Sequence, residues 1–332
     1  LDPTLTIKRS LVYLFGYLFL VSVTHACRWP LRFYMGTVLY VVGCVAWISV
    51  AAYYIFPRNC TELSFRPGLA GLSGHPNVFG PCLEMAWGLG LGYASASSRQ
   101  RFCKYVMMAG ILVALYMTDS VTAIVATAIA TVVYVLMTVT SYRAAALLLC
   151  GVGGALLACA IGLSGMEAMF FDAIGRDISM SGRDTLWRDV FREAIKSPSF
   201  GAGYGAFWSE GRGREIAVTW NPRQAHNAYL DVFVDLGIVG LLLVLSVVHW
   251  RVITIWQSFA GRRGTVQRNA VAAYVSMAIG LCCIGAFGES YLLKLDKFQF
   301  FVLFWGIIVF ENRDGNHVVA ECEAPKRPMV RA

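Results

Sequence analysis

The sequence predicts an all-α, polytopic membrane protein with about nine membrane-spanning helices and one large outer loop that carries short amphipathic helices. Three observations predict it. Of the 332 residues, 57% are hydrophobic and only 14% are charged, where soluble domains carry about a quarter charged residues. Mean hydropathy is +0.59. Apolar runs close to the ~20 residues that cross a bilayer recur from end to end, and one long polar interval, 164–226, interrupts them.

The apolar runs fall at 10–24, 34–56, 77–95, 105–118, 121–140, 145–163, 227–250, 270–289 and 297–311. They divide the chain into an N-terminal membrane bundle (1–163), the large loop (164–226), C-terminal membrane helices (227–311) and a polar tail (312–332). The tail holds Pro325 and Pro328 and few large apolar residues, which predicts disorder. If the nine runs alternate in direction, the basic residues Arg28, Arg32, Arg99, Arg101, Lys104, Arg143, Arg251, Arg262, Arg263 and Arg268 all fall on one side. Basic loops stay in the cytoplasm, so the segment 57–76, the turn near Asp119 and the 164–226 loop face outward. The first run then crosses from outside to inside, and the chain starts at Leu1 rather than Met. Further spans upstream are therefore expected.

The formal charge of +8 concerns loop placement and anionic ligands, because no nucleic-acid-binding pattern accompanies it. Ten cysteines are scattered singly, mostly in apolar runs, as at Cys44, Cys150, Cys159, Cys282 and Cys283. That spacing suits neither a zinc site nor a disulfide framework, and the acids and histidines lack metal-ligand spacing as well. The cysteines read as small buried hydrophobes; Cys60, in an outward segment, has no evident partner.

Chemistry-bearing residues concentrate between Ser181 and Gly240. Ser181-Gly182-Arg183-Asp184 reads as a capping box, and Leu186, Trp187, Val190, Phe191, Ala194 and Ile195 follow at helical spacing. This predicts a short helix on the outer leaflet, stopped by Pro198. Arg183 sits in its first turn, where unpaired N–H groups and the dipole favour anions. A guanidinium there suits phosphate oxygens and equally suits lipid headgroups or Asp184. His226 ends the loop where the chain re-enters the membrane; it is a general base, an interfacial histidine or a cap of the next helix. Asn227, Asp231 and Asp235 recur every four residues on that helix. Carboxylates entering a membrane helix face the protein interior, so Asp231 orients neighbours or pairs an arginine. Upstream, Arg66-Pro67-Gly68 and Gly74-His75-Pro76-Asn77 form a second outward cluster, and Glu84 lies on the same helical face as Asn77. Glu84 either lines a substrate cavity or pairs with a buried cation.

These motifs together resemble a known family. Gly182-Arg183-Asp184-x-Leu186-Trp187, then Pro198-x-x-Gly201-x-Gly203-x-Gly205-x-Phe207, then His226-Asn227-x-Tyr229-Leu230 with Gly237 and Gly240 resemble the O-antigen ligase and polymerase superfamily of bacterial envelopes. So does the Arg66–Asn77 segment. The resemblance implies a metal- and cofactor-independent glycosyltransferase of the inner membrane with its active site facing the periplasm. The implied donor is an undecaprenyl-pyrophosphate-linked glycan. The implied acceptor is a sugar hydroxyl on a lipid A-core, another glycan or a protein, with membrane lipids around and no nucleic acid. By the same resemblance, Arg183 binds the diphosphate and His226 is base or acceptor-positioning group. Arg66, His75, Asn77, Arg176, Arg188, Arg223, Asn227 and Asp231 are the expected substrate-binding residues. The chain departs from the family at Val121 in Thr118-Asp119-Ser120-Val121, where relatives carry a basic residue. Either another arginine (Arg66, Arg176, Arg188 or Arg223) supplies that charge, or activity is altered.

The topology has a direct check. A cysteine introduced near Arg212 should react with an impermeant thiol reagent in intact cells, and one near Arg262 should not; equal labelling rejects the arrangement.

Overall fold

An apolar segment with no water to bond its backbone must satisfy its N–H and C=O groups internally, and a helix does so. The computed structural model describes residues 7, 11, 14–16, 18–24, 31–57, 68–71, 74–139, 183–208, 213, 216, 224–260, 265–294 and 297–311, and among them the regular structure is helical with no strand. The helices are α1 (Leu31–Ile55), α2 (Pro76–Gly92), α3 (Ser98–Met117), α4 (Val121–Val139), α5 (Arg183–Ala194), α6 (Ala228–Ala260), α7 (Thr265–Ile279) and α8 (Phe298–Glu311). A π-helix, Gly280–Gly285, and the turn Ala286–Gly288 extend α7.

Nine spans were expected; among the described residues, four stretches are long and apolar enough to cross a membrane. They are Leu31–Ile55, Val121–Thr138, Ala228–Val248 and Arg268–Gly288, while Leu14–Thr24 and Phe298–Val309 are shorter apolar helices. α2 has 17 residues, and α3 opens on the polar stretch Ser98–Lys104, its Ser97 cap accepting from Gln100 N–H at 3.2 Å. The run at 145–163, most of the 164–226 loop and the 312–332 tail lie outside the described residues.

α2 is the hub, packed against α1, α3, α4 and α7, and Leu83, Met85, Ala86 and Leu89 on it are fully buried. The two ends of the bundle differ. At one, Lys104 Nζ donates to the Leu91 and Tyr93 carbonyls (3.3 and 2.9 Å) and Arg32 donates to Gln100 Oε1 at 2.5 Å. Cations there meet the exposed carbonyls that close α2. At the other end, Leu69 N–H donates to Met117 O (2.7 Å) and Gln299 Nε2 to Val78 O (3.0 Å). His75 caps α2 at this end, its Nδ1 accepting from Asn77 N–H at 3.1 Å.

α6 bends at Gly237, whose φ of 67° and ψ of −170° are not helical. The bend frees backbone groups, and the segment after α5 takes them up. Ile238 N–H donates to Pro198 O (2.8 Å) and Val239 N–H to Ser199 O (3.2 Å); in return Ala202 and Gly203 N–H donate to the Val234 and Asp235 carbonyls, both at 2.8 Å. The approach is backbone to backbone. A Cβ on Gly201 would stand 2.5 Å from the Asp235 carbonyl carbon, and one on Gly237 2.3 Å from that of Ser199. The π-helix opens a second set of carbonyls, met by side chains: Tyr229 O–H donates to Cys282 O and Tyr291 O–H to Leu281 O. Beside it lies Glu84, 1% exposed, with neither oxygen hydrogen-bonded. The described residues supply no cation for it.

Gly237→Ala should destabilise strongly, because that backbone region costs other residues ~1–3 kcal/mol and the added methyl meets the Ser199 backbone. Gly74→Ala is the control: φ is +72° but nothing lies within 4 Å. Thermal unfolding in detergent should show a clearly larger drop for Gly237→Ala; equal drops would deny the close approach its role.

Candidate functional site

α5 has one apolar face. Leu186, Val190 and Ala194 are buried and pack with Phe207, Ala225 and Val234, while Arg188, Arg192 and Phe191 are exposed. The exposed side carries an Arg192–Asp189 pair at 3.3 Å, of small energetic weight at such exposure. Trp187 Nε1–H donates to Ala225 O at 2.9 Å. This bond ties the helix that Arg183 opens to the residue preceding His226.

His226 adopts φ of 51°, a left-handed conformation that is uncommon outside glycine and gathers at functional sites. The following residue explains the turn. Asn227 Oδ1 accepts from Tyr229 N–H and Leu230 N–H, both at 3.1 Å, so Asn227 is the N-cap of α6. His226 stands outside the helix, not at its cap. Its Nδ1 lies 3.5 Å from Glu289 Oε2 and 3.3 Å from Gln224 Nε2.

Asp231, one turn into α6, is 3% exposed and both oxygens are engaged. Oδ1 accepts from Trp208 Nε1–H (2.7 Å) and Ala225 N–H (3.0 Å), and Oδ2 pairs with Lys294 Nζ at 3.3 Å. Lys294 also reaches Gln224 Oε1 at 3.4 Å. Asp231 thus holds an indole, a backbone N–H and a lysine, where the sequence offered orientation of neighbours or pairing with an arginine. One turn further, Asp235 Oδ2 accepts from Gly205 N–H at 3.0 Å, and Tyr204 O–H donates to Leu293 O.

The structure therefore brings His226, Asn227 and Asp231 together with Glu289 and Lys294. His75 and Asn77 sit at the start of α2, at the same end of the bundle. Arg188 is exposed on α5. Arg183 is placed by its backbone at the start of α5, and Arg66, Arg176 and Arg223 lie outside the described residues, as does the expected cap Ser181. Glu289 and Lys294 were missed from sequence, being taken as the end of one span and a connecting loop. The available signal was Glu289 at the end of one apolar run and Lys294 in the short stretch before the next, on the side that alternation gives to His226. Chemically, the cluster offers an imidazole backed by a carboxylate, beside a neutralised buried pair and a helix opened by an arginine.

A family model described as O-antigen ligase matches residues 106–245. This stretch contains α4, α5, the glycine-rich segment, His226, Asp231 and the bend in α6. The chain is also similar to exopolysaccharide production protein ExoQ of Rhizobium meliloti (strain 1021), 29% identical over 102 residues, which is 28% of this chain and 23% of that protein. The match thus spans about a quarter of that relative's length.

The Asp231–Lys294 pair yields a coupling prediction. Asp231→Asn and Lys294→Met should each lower the unfolding midpoint in detergent, whereas the double variant should lose less than the sum, with coupling of ~0.5–3 kcal/mol. Strict additivity would mean the pair is incidental.

Proposed function

Residues 106–245 match a family model described as O-antigen ligase, and on that premise we propose that the protein is a membrane glycosyltransferase of the ligase type. It moves a glycan from an undecaprenyl-pyrophosphate carrier to an acceptor sugar hydroxyl at the periplasmic face of the bacterial inner membrane. The observation that supports this reading best is the position of His226. It is set in a left-handed turn, between a helix opened by Arg183 and a partly buried ion pair, at the end of the bundle opposite the basic cluster around Arg32 and Lys104.

In the proposed reaction the acceptor hydroxyl attacks the anomeric carbon as the bond from that carbon to the pyrophosphate oxygen breaks. His226 accepts the hydroxyl proton, and the departing diphosphate is held by Arg183. Charge grows on the leaving group, so fixed positive partners are most effective there. The helix start adds N–H groups to the guanidinium. His75, Asn77, Asn227, Asp231 and the arginines Arg66, Arg176, Arg188 and Arg223 belong to donor and acceptor binding, Asp231 through its hold on Trp208 and Lys294. No metal takes part. The likeness to an exopolysaccharide production protein favours a second reading, a polymerase whose acceptor is another lipid-linked repeat.

The test uses purified protein, a lipid-diphosphate glycan and candidate acceptors, with chelator present. His226→Ala should reduce transfer by ~10²–10⁴-fold while donor binding stays largely intact. Arg183→Lys, which keeps the charge but loses the planar fork, should lose most transfer while still accumulating in the membrane. Transfer by His226→Ala at the wild-type rate would overturn the proposed chemistry. Wild-type protein that transfers to no acceptor yet moves a solute across vesicles would make it a transporter.

A further inference from the structure

An imidazole is a base at one nitrogen only, and the group at the other nitrogen decides which. Two groups contend for His226 Nδ1: the Glu289 carboxylate, with Oε2 at 3.5 Å, and the Gln224 amide, with Nε2 at 3.3 Å. They demand opposite tautomers. A carboxylate needs a proton on Nδ1 and leaves Nε2 free to accept one; an amide N–H donating to Nδ1 puts the proton on Nε2 and removes the base.

The surroundings favour the carboxylate. Glu289 is 8% exposed, and a carboxylate so far from water draws strongly on any N–H within reach. Its backbone is fixed, with Glu289 N–H donating to Gly285 O at 2.9 Å at the end of the π-helix. Against it, Lys294 holds the Gln224 amide oxygen at 3.4 Å, which leaves the amide nitrogen turned toward His226. Among the described residues, Lys294 is paired with Asp231 at 3.3 Å. The Glu289 contact stands at an ion-pair separation of 3.5 Å, and a hydrogen bond closed onto an ionised acceptor is about twice as strong as a neutral one.

We propose that Glu289 is the positioning residue for His226, its carboxylate holding the Nδ1 proton so that Nε2 is the nitrogen that accepts the proton of the acceptor hydroxyl. The catalytic half of this statement rests on the transfer reaction proposed above; the tautomer half does not. Glu289 gains no proton and forms no bond to substrate. It fixes the ring and offsets the positive charge that arises when Nε2 is protonated, the arrangement that an acid–imidazole pair uses in hydrolases.

Two measurements on the full chain in detergent test it. The first needs no substrate: nitrogen NMR of histidine-labelled protein, at a pH where the ring is neutral and with the His226 signals assigned by their loss in His226→Gln. The wild type should show the Nδ1-protonated tautomer, Glu289→Gln should shift it toward Nε2–H, Glu289→Asp should keep part of it, and Gln224→Ala should leave it in place. An Nε2-protonated wild type, or a tautomer that follows Gln224 and not Glu289, overturns the proposal. The second is a kinetic cycle with the lipid-diphosphate donor. Glu289→Gln should lower kcat at least ~10-fold with donor KM unchanged, and should add nothing in a His226→Ala background. Full activity, or losses that multiply in the double variant, would overturn the catalytic half. Absence of transfer in the wild type defeats the transferase reading instead, full transfer by His226→Ala defeats the base role of His226 and the catalytic half with it, and in both cases the tautomer still decides what Glu289 does.

Discussion

A carboxylate removed from water must be met by donors and a counter-charge, or it is too costly to keep ionised. Asp231 is in that position, and its need for partners organises this end of the molecule. It draws in an indole N–H from the glycine-rich segment, a backbone N–H from the residue before His226, and an ammonium from the connection between α7 and α8. Three stretches far apart in sequence are thereby fixed around a single side chain. The position of His226, one residue beyond the Asp231-bound Ala225, follows from that arrangement.

The bend in α6 solves a related problem at the level of the backbone. A break in a helix exposes N–H and C=O groups that cannot be left unpaired where water is scarce. Here the break and its partner are matched, with two donors and two acceptors on each side. Gly201 and Gly237 allow this close approach. They let a chain segment lie directly on α6 and carry Gly205 N–H to Asp235 and Trp208 to Asp231.

Much of the helical layout was legible in hydropathy. The apolar runs at 34–56, 121–140 and 297–311 correspond closely to α1, α4 and α8, because apolar length alone sets those elements. Hydropathy failed where helices continue into polar sequence. α3 starts at Ser98 rather than 105, since its first two turns are polar, and α6 runs on to Ala260. At the site, the four-residue recurrence of Asn227, Asp231 and Asp235 was informative, since periodicity reports which residues share a face. The cap role of Asn227 and the contributions of Glu289 and Lys294 were not legible. Pairing between residues 63 apart, as in Asp231–Lys294, leaves no periodic trace, and a charge at the margin of an apolar run looks like an ordinary span end. The arrest of α6 at Gly237 was equally hidden, because its partner backbone lies more than thirty residues upstream.

The π-helix at Gly280–Gly285 has a consequence for how this region tolerates change in length. A π turn amounts to one residue inserted into an α-helix, and each residue of a regular helix advances the facing direction by ~100°. Deleting any single residue between Gly280 and Gly285 would let the segment relax to a regular helix and swing everything after it by that angle. Glu289 would then turn away from His226, and Tyr291 and Lys294 would leave the carbonyl and carboxylate they now serve. The hydrophobicity of the segment would scarcely change, so the lesion would be invisible to composition. The extra residue thus acts as a phase setting for the downstream strand of contacts, and insertions or deletions here should be far less tolerated than substitutions.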